Sequence, residues 1–301
     1  MTNQTKKKRI VLLTNPGKPR TIQVGRELLE WLKPKVQIAD NNLEKEIDLS
    51  RLPEIDFIIV IGGDGTILST IRALGANQVP VIGVNMGKLG FLAEFSLQQF
   101  QELFDRIISQ YEPYNRRMML NCRITGPGRA DFVSPIVNEL AITAGPPFRM
   151  IEVSVSIAEE HLACCAGDGL IVATPTGSTA YNLSAGGPIL ASSLHAAVIT
   201  PLAAHSLSFR PVVVDMDKPI ILRCRNAHSR HEPADIEKTE SGRAVVVIDG
   251  QEHTPLKSED RITITADPNQ FLLVPNPRQN QWRLLNTKLN WGALPNYELP
   301  G

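Results

Sequence analysis

The sequence predicts an α/β N-terminal domain built on a parallel sheet, joined to a β-rich, sandwich-like C-terminal domain. Three observations lead there. Over the first 115 or so residues, strand-like and helix-like stretches alternate, as they do in βαβ units. Beyond residue 116, strand-like runs follow one another with turns between them, the texture of packed antiparallel sheets. The 301 residues, 43% hydrophobic and 21% charged, are enough for two ordinary cores.

In chain order, RIVLLTN (9–15) reads as a buried strand stopped by Pro16 and Gly17, and a helix over 21–31 closes before Pro34. VQIA (36–39) is a short second strand. DFIIVI (56–61) is a continuous run rich in β-branched residues, the mark of a strand covered on both faces. The turn GGDG follows, then a helix over 66–74, a strand in PVIGVN (80–85) and an amphipathic helix over 96–111 with Ser96 as its N-cap. From 116 onward the strands are MMLNCRIT (118–125), SPIVNELAIT (134–143), MIEVSVSIA (150–158), GLIVAT (169–174), AAVITPL (196–202), RPVVVD (210–215), PIILRCR (219–225), AVVVIDG (244–250), RITITA (261–266) and FLLVPN (271–276). Within that half only 178–190 reads as helical. The polar insert 226–243 reads as an exposed loop or hairpin tip, and no solenoid repeat is present. The resulting division is 1–115 and 116–284, with the tail from about 285 to 301 expected to return to the first domain.

The formal net charge of zero gives no support to nucleic-acid binding, and the basic run from Lys6 to Arg9 reads as a solvated tail. No apolar run reaches the length of a membrane span, and a signal-peptide apolar region is absent, so neither a membrane nor export is expected. The four cysteines (Cys122, Cys164, Cys165 and Cys224) form no CxxC pair, and His161 near Cys164 does not make a zinc site. They read as free thiols, Cys164 and Cys165 on opposite faces of a strand, in a reducing cytosol.

Four stretches could carry chemistry. GGDGT (62–66) lies between a buried strand and a helix, at the carboxyl end where open α/β sheets bind ligands. It is neither a Walker A loop nor a GxGxxG fingerprint. Asp64 either caps the following helix or serves a phosphoryl site. In the second case the turn's amides and Mg²⁺ hold a polyphosphate, and the carboxylate takes a proton from an attacking hydroxyl. Asp168–Gly169 and Asp249–Gly250 read individually as turns, since Asp-Gly is a strong hairpin signal. ATPTGSTAYNLSAGGPI (173–189) carries six hydroxyls within eleven residues, at Thr174, Thr176, Ser178, Thr179, Tyr181 and Ser184. Such density is costly in a core without partners, which a polar ligand would supply. A hydrolase is the rival reading, with His161 or His205 as base, but neither GxSxG nor SxxK surrounds Ser178. Asn138 and Glu139 interrupt the apolar run SPIVNELAIT and suit a ribose or a carboxamide, or else a hydrogen-bonded strand end.

Taken together and in order, IGGDGTIL, NMGKLGFL (85–92), VNEL, DGLIVATPTGSTAYNLSAGGPI, ITPLAAHSLSFRPVVV (199–214) and VVVIDGQ closely resemble the bacterial NAD kinase family, over about residues 9 to 285. GGDGT alone is shared with lipid kinases; the block from 168 to 189 is far more specific. The resemblance implies a Rossmann-like N-terminal domain and transfer of the γ-phosphoryl of ATP, or of polyphosphate, to the 2′-hydroxyl of the adenosine ribose of NAD, giving NADP. It implies Mg²⁺ or another divalent cation, and a homodimer or homotetramer with sites near subunit interfaces. It makes Asp64 the proton acceptor, with Gly62, Gly63, Gly65 and Thr66 beside the phosphates and Phe91 against the adenosine. Asn138 and Glu139 would bind ribose and neighbouring groups. Thr179, Ala180 and Ser184 would surround the adenine, with Thr176 and Tyr181 in the same pocket. Asp168 would face the nicotinamide end and Asp249 would lie near the catalytic centre.

One departure stands out: Ala166 occupies a place where many relatives carry Arg, which leaves both NAD and NADH admissible. Lys88 takes no fixed role. Two other readings are distinguishable by assay. A lipid kinase on the same turn would prefer diacylglycerol to NAD, and a non-catalytic NAD(P) sensor would bind NADP tightly without turnover.

Overall fold

The computed structural model describes residues 7–87, 90–109, 114–146, 148–226 and 244–292. The insert 226–243 lies outside them apart from the backbone of Asn226, as do Lys88 and the last residues of the tail. The chain divides into two compact units. The first contains the residues up to Thr70, Val79–Asn115 and those from Leu272 onward; the second contains Ile71–Gln78 and Arg116–Phe271.

The first unit contains β1 (Arg9–Thr14), α1 (Pro19–Leu32), β2 (Gln37–Asn41), β3 (Phe57–Ile61), α2 (Asp64–Leu74, its last residues counting with the second unit), β4 (Val81–Asn85), β5 (Phe95–Ser96) and α3 (Leu97–Ser109). Its strands are all parallel in the order β2–β1–β3–β4–β5. Every residue of β3 is buried, as its apolar run requires. Pro19 opens α1 at a position where a missing N–H costs nothing, which starts that helix two residues ahead of the expected Thr21. At α3, Ser96 Oγ accepts from the Gln99 amide at 3.2 Å while Gln99 Oε1 accepts from the Ser96 amide at 3.2 Å, a reciprocal capping box where a simple cap was expected. Phe100 and Phe104 of α3 pack edge-on, with ring centroids 5.6 Å apart, and Trp31 of α1 stands 5.0 Å from Phe104. From Lys7 on the basic run is tied to the unit and is not a free tail, although Lys7 itself stays exposed. Lys7 Nζ donates to the Pro34 carbonyl at 2.7 Å, and Lys8 Nζ pairs with Asp56 at 2.8 Å.

In the second unit the chain forms β6 (Asn115–Thr125), β7 (Phe132–Ile136), β8 (Glu139–Ala144), β9 (Ile151–Ile157), β10 (Glu160–Gly167), β11 (Gly169–Ala173), α4 (Tyr181–Ser184), β12 (Ala196–Leu202), β13 (Val212–Asp215), β14 (Ile220–Asn226), β15 (Ala244–Ile248), β16 (Glu252–Leu256) and β17 (Arg261–Leu273). One antiparallel sheet has the order β13–β12–β11–β8–β15–β16; the other runs β10–β9–β14–β17, with β6 and β7 joined to it at β17. One core draws on both, from Leu120 and Ile136 through Val153 and Leu222 to Leu140, Val172 and Val246, so the unit is a sandwich. Cys164 is exposed and Cys165 buried, as the alternation of a strand demands. The helix expected over 178–190 is shorter, a 3-10 turn at Gly177–Thr179 followed by α4. A helix absent from the sequence reading, α5 (Gln281–Leu289), belongs to the first unit and is capped by Asn280 Oδ1 on the Arg283 amide at 2.8 Å.

Candidate functional site

Two groups of residues carry the polar chemistry, one in each unit. In the first unit, β1 and β3 are neighbours, while β2 lies on the far side of β1 and β4 on the far side of β3. The strand order therefore reverses between β1 and β3, which is where open parallel sheets bind ligands. The GGDGT turn leaves β3 at that point. Gly62 N–H donates to the Val84 carbonyl at 2.9 Å, and Asn15, just after β1, reaches Thr66 Oγ1 at 3.4 Å. At Gly63 and Gly65 an added Cβ would meet no atom within 4 Å, so the chain's own packing does not demand glycine there. Close approach of a ligand's phosphates is a demand that glycine does meet.

Asp64 is the first residue of α2. Its carboxylate does not cap its own helix; it reaches across to the segment after Gly90. Oδ2 accepts from the Phe91 amide at 2.9 Å, and Oδ1 accepts from the amides of Leu92 and Ala93 at 3.1 and 3.0 Å. A carboxylate has about four lone-pair directions; these bonds take two at Oδ1 and one at Oδ2. A further hydrogen bond or a proton is best received at Oδ2. Gly90 is indispensable to this arrangement, because a Cβ there would stand 1.8 Å from Asp64 Oδ1. Phe91 is half-buried, and Lys288 of α5 sets its ammonium 4.6 Å from the ring centroid.

The second group forms where the chain changes sheets. SPIVNELAIT, expected as one strand, is broken at Val137 and Asn138: β7 pairs with β6, and β8 pairs with β11 and β15. Amides leaving one ladder for another need partners, and Asp249 supplies them. Its Oδ2 accepts from Val137 N at 3.0 Å, and its Oδ1 from the amides of Asn138 and Glu139 at 2.7 and 3.1 Å. Asp249 and Gly250 both have positive φ (52° and 64°), and Gln251 N donates to Ile248 O at 2.9 Å, the two-residue hairpin expected of Asp-Gly. Asp168–Gly169 is different. It carries the chain from β10 in one sheet to β11 in the other, so no hairpin forms there.

Arg72, which the sequence reading passed over, completes this group. Its Nη1 donates to Asp249 Oδ2 at 3.0 Å and to the Pro135 carbonyl at 2.8 Å; its Nη2 donates to Ser134 Oγ at 3.0 Å and to Glu252. The Asp249 side chain is wholly buried and that of Arg72 is 12% exposed. Removing one partner of such a pair strands the other charge, at a cost on the order of 3–5 kcal/mol. A single Arg within the otherwise uncharged run TILSTIRAL was the available signal.

Around the resulting bend, Thr174 Oγ1 donates to Val137 O at 2.7 Å and Thr174 N donates to Asn138 O at 2.8 Å. Gly177 packs on the Asn138 backbone, where a Cβ would come within 2.1 Å of the carbonyl oxygen. Several of the clustered hydroxyls are satisfied within the segment: Ser178 Oγ donates to Pro175 O at 2.6 Å, and Thr179 Oγ1 to Thr176 O at 3.2 Å. Of the buried side-chain atoms without a hydrogen-bond partner among the described residues, two belong to this group, Thr176 Oγ1 and Glu139 Oε2. Burial first, and the Asp249 charge second, push the Glu139 carboxyl up to about 7, against the Tyr181 amide, which favours the ionised form. Buried groups in this condition have capacity left for a partner such as water or a ligand's hydroxyl or amide. Ala180 is half-buried, and Tyr181 and Ser184 are exposed on α4 beside them.

The structure thus brings Asn138, Glu139, Thr176, Thr179, Ala180 and Tyr181 into one stretch of the second unit. It leaves Asp168 at the opposite end of β11, where Gly169 pairs with Thr143 while Ala173 pairs with Glu139. Asp249, expected beside the catalytic centre, turns its carboxylate inward on protein donors. Among the described residues no three His, Cys, Asp or Glu side chains group as a metal site.

Comparison with known proteins agrees along most of the chain. Residues 35–111 match the family model of the ATP-NAD kinase N-terminal domain, and residues 137–276 match that of the ATP-NAD kinase C-terminal domain. The chain is 38% identical over 285 residues to an NAD kinase of Rhodopirellula baltica, covering 95% of this chain and 87% of that one. It is 33% identical over 290 residues to an NAD kinase of Heliobacterium modesticaldum, covering 93% and 98%. Among solved structures, an NAD kinase from Archaeoglobus fulgidus in complex with ATP is similar with a TM-score of 0.72 and 26% identity, over 94% and 98% of the two chains. Yeast NADH kinase complexed with NADH shares the fold with a TM-score of 0.85 and 23% identity, over 98% and 90%.

Proposed function

Because the chain belongs to the NAD kinase family, we propose that it transfers the γ-phosphoryl of ATP to the 2′-hydroxyl of the adenosine ribose of NAD, releasing NADP and ADP. The observation that carries this reading is the Asp64 carboxylate, held by three amides at the reversal point of the parallel sheet with Oδ2 the less occupied oxygen. The ribose oxygen forms the new bond to the γ-phosphorus as the bond to the β,γ-bridging oxygen breaks, and the hydroxyl proton passes to Asp64 Oδ2. A carboxylate is too weak a base to remove that proton beforehand, so transfer accompanies phosphoryl transfer. Gly62, Gly63, Gly65 and Thr66 are the proposed phosphate-side residues. Mg²⁺, or another divalent cation, enters as part of the metal–nucleotide substrate and neutralises charge on the phosphates.

In the second unit, Glu139 Oε2 and Thr176 Oγ1 gain partners from the dinucleotide, with Asn138, Thr179, Ala180, Tyr181 and Ser184 around it. Phe91 offers the adenosine an aromatic face, and Asp168 serves the nicotinamide end. The chain works as a homo-oligomer in the reducing cytoplasm. In support, Val212 and Val213 on the edge strand β13 are 42% and 46% exposed, and Leu207 is 92% exposed. The cysteines of the core are free, and no helix among the described residues is long and apolar enough to cross a membrane.

The test is NADP formation by the purified chain given NAD, ATP and Mg²⁺, with NADH and polyphosphate substituted in parallel. NADP is expected with ATP and metal. The Asp64→Asn variant is expected to bind NAD within a few-fold of wild type and to turn over roughly a hundredfold or more slowly. Turnover near the wild-type rate in that variant would remove Asp64 from the role of base.

A further inference from the structure

We infer that Arg72 and Asp249 are positioning residues for the acceptor: they do not touch the dinucleotide but hold Asn138 and Glu139 in the conformation that receives it. The inference rests on the proposed NAD phosphorylation and adds two residues to it.

The Asp249 side chain is wholly buried, and its recorded bonds go to the amides of Val137, Asn138 and Glu139 and to Arg72. Three consecutive amides on one carboxylate fix the backbone at the step from β7 to β8, and with it the direction in which both side chains leave. Asp249 is itself held by Arg72, whose other bonds reach Pro135 O and Ser134 Oγ on the strand that enters the step, and Glu252 on β16. One guanidinium from α2 therefore ties together the strand before the bend and the hairpin that supports it. A planar fork can serve these acceptors together; a lysine ammonium cannot match its geometry.

Among the described residues, the charge that acts on Glu139 is that of Asp249, at the β15–β16 turn; Asp249 is paired with Arg72, which also pairs with Glu252, and the Tyr181 amide of α4 acts on Glu139 in the opposite sense. Asp249 thus acts on Glu139 twice, through the backbone it holds and through its charge. A purely structural brace would leave the pH profile set by Glu139 unmoved.

The experiment uses the full chain, with NAD varied at saturating ATP and Mg²⁺ across roughly pH 5.5 to 9. In Asp249→Asn we expect KM for NAD to rise about tenfold with kcat within about threefold, the mark of lost uniform binding. We also expect the acid limb of kcat/KM to move to lower pH, because a negative neighbour of Glu139 has gone. Arg72→Lys should retain more of the NAD affinity than Arg72→Met. Should Asp249→Asn fail to fold, Glu252→Gln carries the test: that side chain is 39% exposed, and a smaller rise in KM is expected. Folded variants with wild-type KM and an unmoved acid limb overturn the inference. So does a fall in kcat at constant KM, which would make Asp249 a direct participant in the chemical step. A wild-type chain that makes no NADP overturns the proposed function itself, a result separate from either of these.

Discussion

Glu139 is a side chain whose properties belong to the fold and not to its residue type. Its carboxyl is pushed from 4.5 up to about 7, so across that interval the folded chain holds a proton that the unfolded chain has released. Its contribution to stability is present in full below about pH 4.5 and is lost as the pH rises towards 7. Glu139→Gln should therefore raise the denaturation midpoint more at about pH 8 than at about pH 5, as measured by urea titration. For binding the sign reverses, because a ribose hydroxyl donates best to the ionised carboxylate. The kcat/KM for NAD is expected to climb through an acid limb near pH 7, and Glu139→Gln to flatten it. Gly90 makes a second point at the same scale. Its Cβ would collide with Asp64 Oδ1, so Gly90→Ala should lower kcat by a factor on the order of ten to a hundred while NAD still binds; calorimetry beside steady-state rates would check both halves.

Elements were legible in the sequence where local signals and burial agree. β3 carries an unbroken apolar run and is buried throughout, and α3 announces itself through its amphipathic pattern and the cap at Ser96. Replacing Ser96 with Ala should cost about 1 kcal/mol and lower the melting temperature by a few degrees in calorimetry. SPIVNELAIT failed as a single strand because its break comes from a distant carboxylate, more than a hundred positions away, that satisfies Val137, Asn138 and Glu139. Asp168–Gly169 looked like Asp249–Gly250 in sequence, yet only the second has the strands on either side paired with each other. Helix α5 went unseen because only Leu284 and Leu285 of its nine residues are buried, too weak a period to stand out.

For the whole molecule, the exposed valines of β13 bear on assembly. An edge strand with such residues is a template for pairing. Light scattering is expected to give two or four times the 33.1 kDa chain mass, and Val213→Lys to shift the species towards the single chain. A single-chain mass for the wild type would count against the oligomer.

By itself the sequence determined the alternating first half, the strand-rich second half, the turn that carries Asp64 and the family the chain belongs to, because periodicity and contiguous motifs are local. Only the tertiary structure decided which polar atoms are left for a ligand. Asp64 leans on the amides after Gly90, Asp249 is spent on the bend it holds, and Arg72 is the cation that makes that bend possible. Glu139 Oε2 and Thr176 Oγ1 are buried without a partner among the described residues. Each of these depends on residues far apart in the chain, since hydrogen-bond capacity is settled only when the backbone has chosen where its amides go.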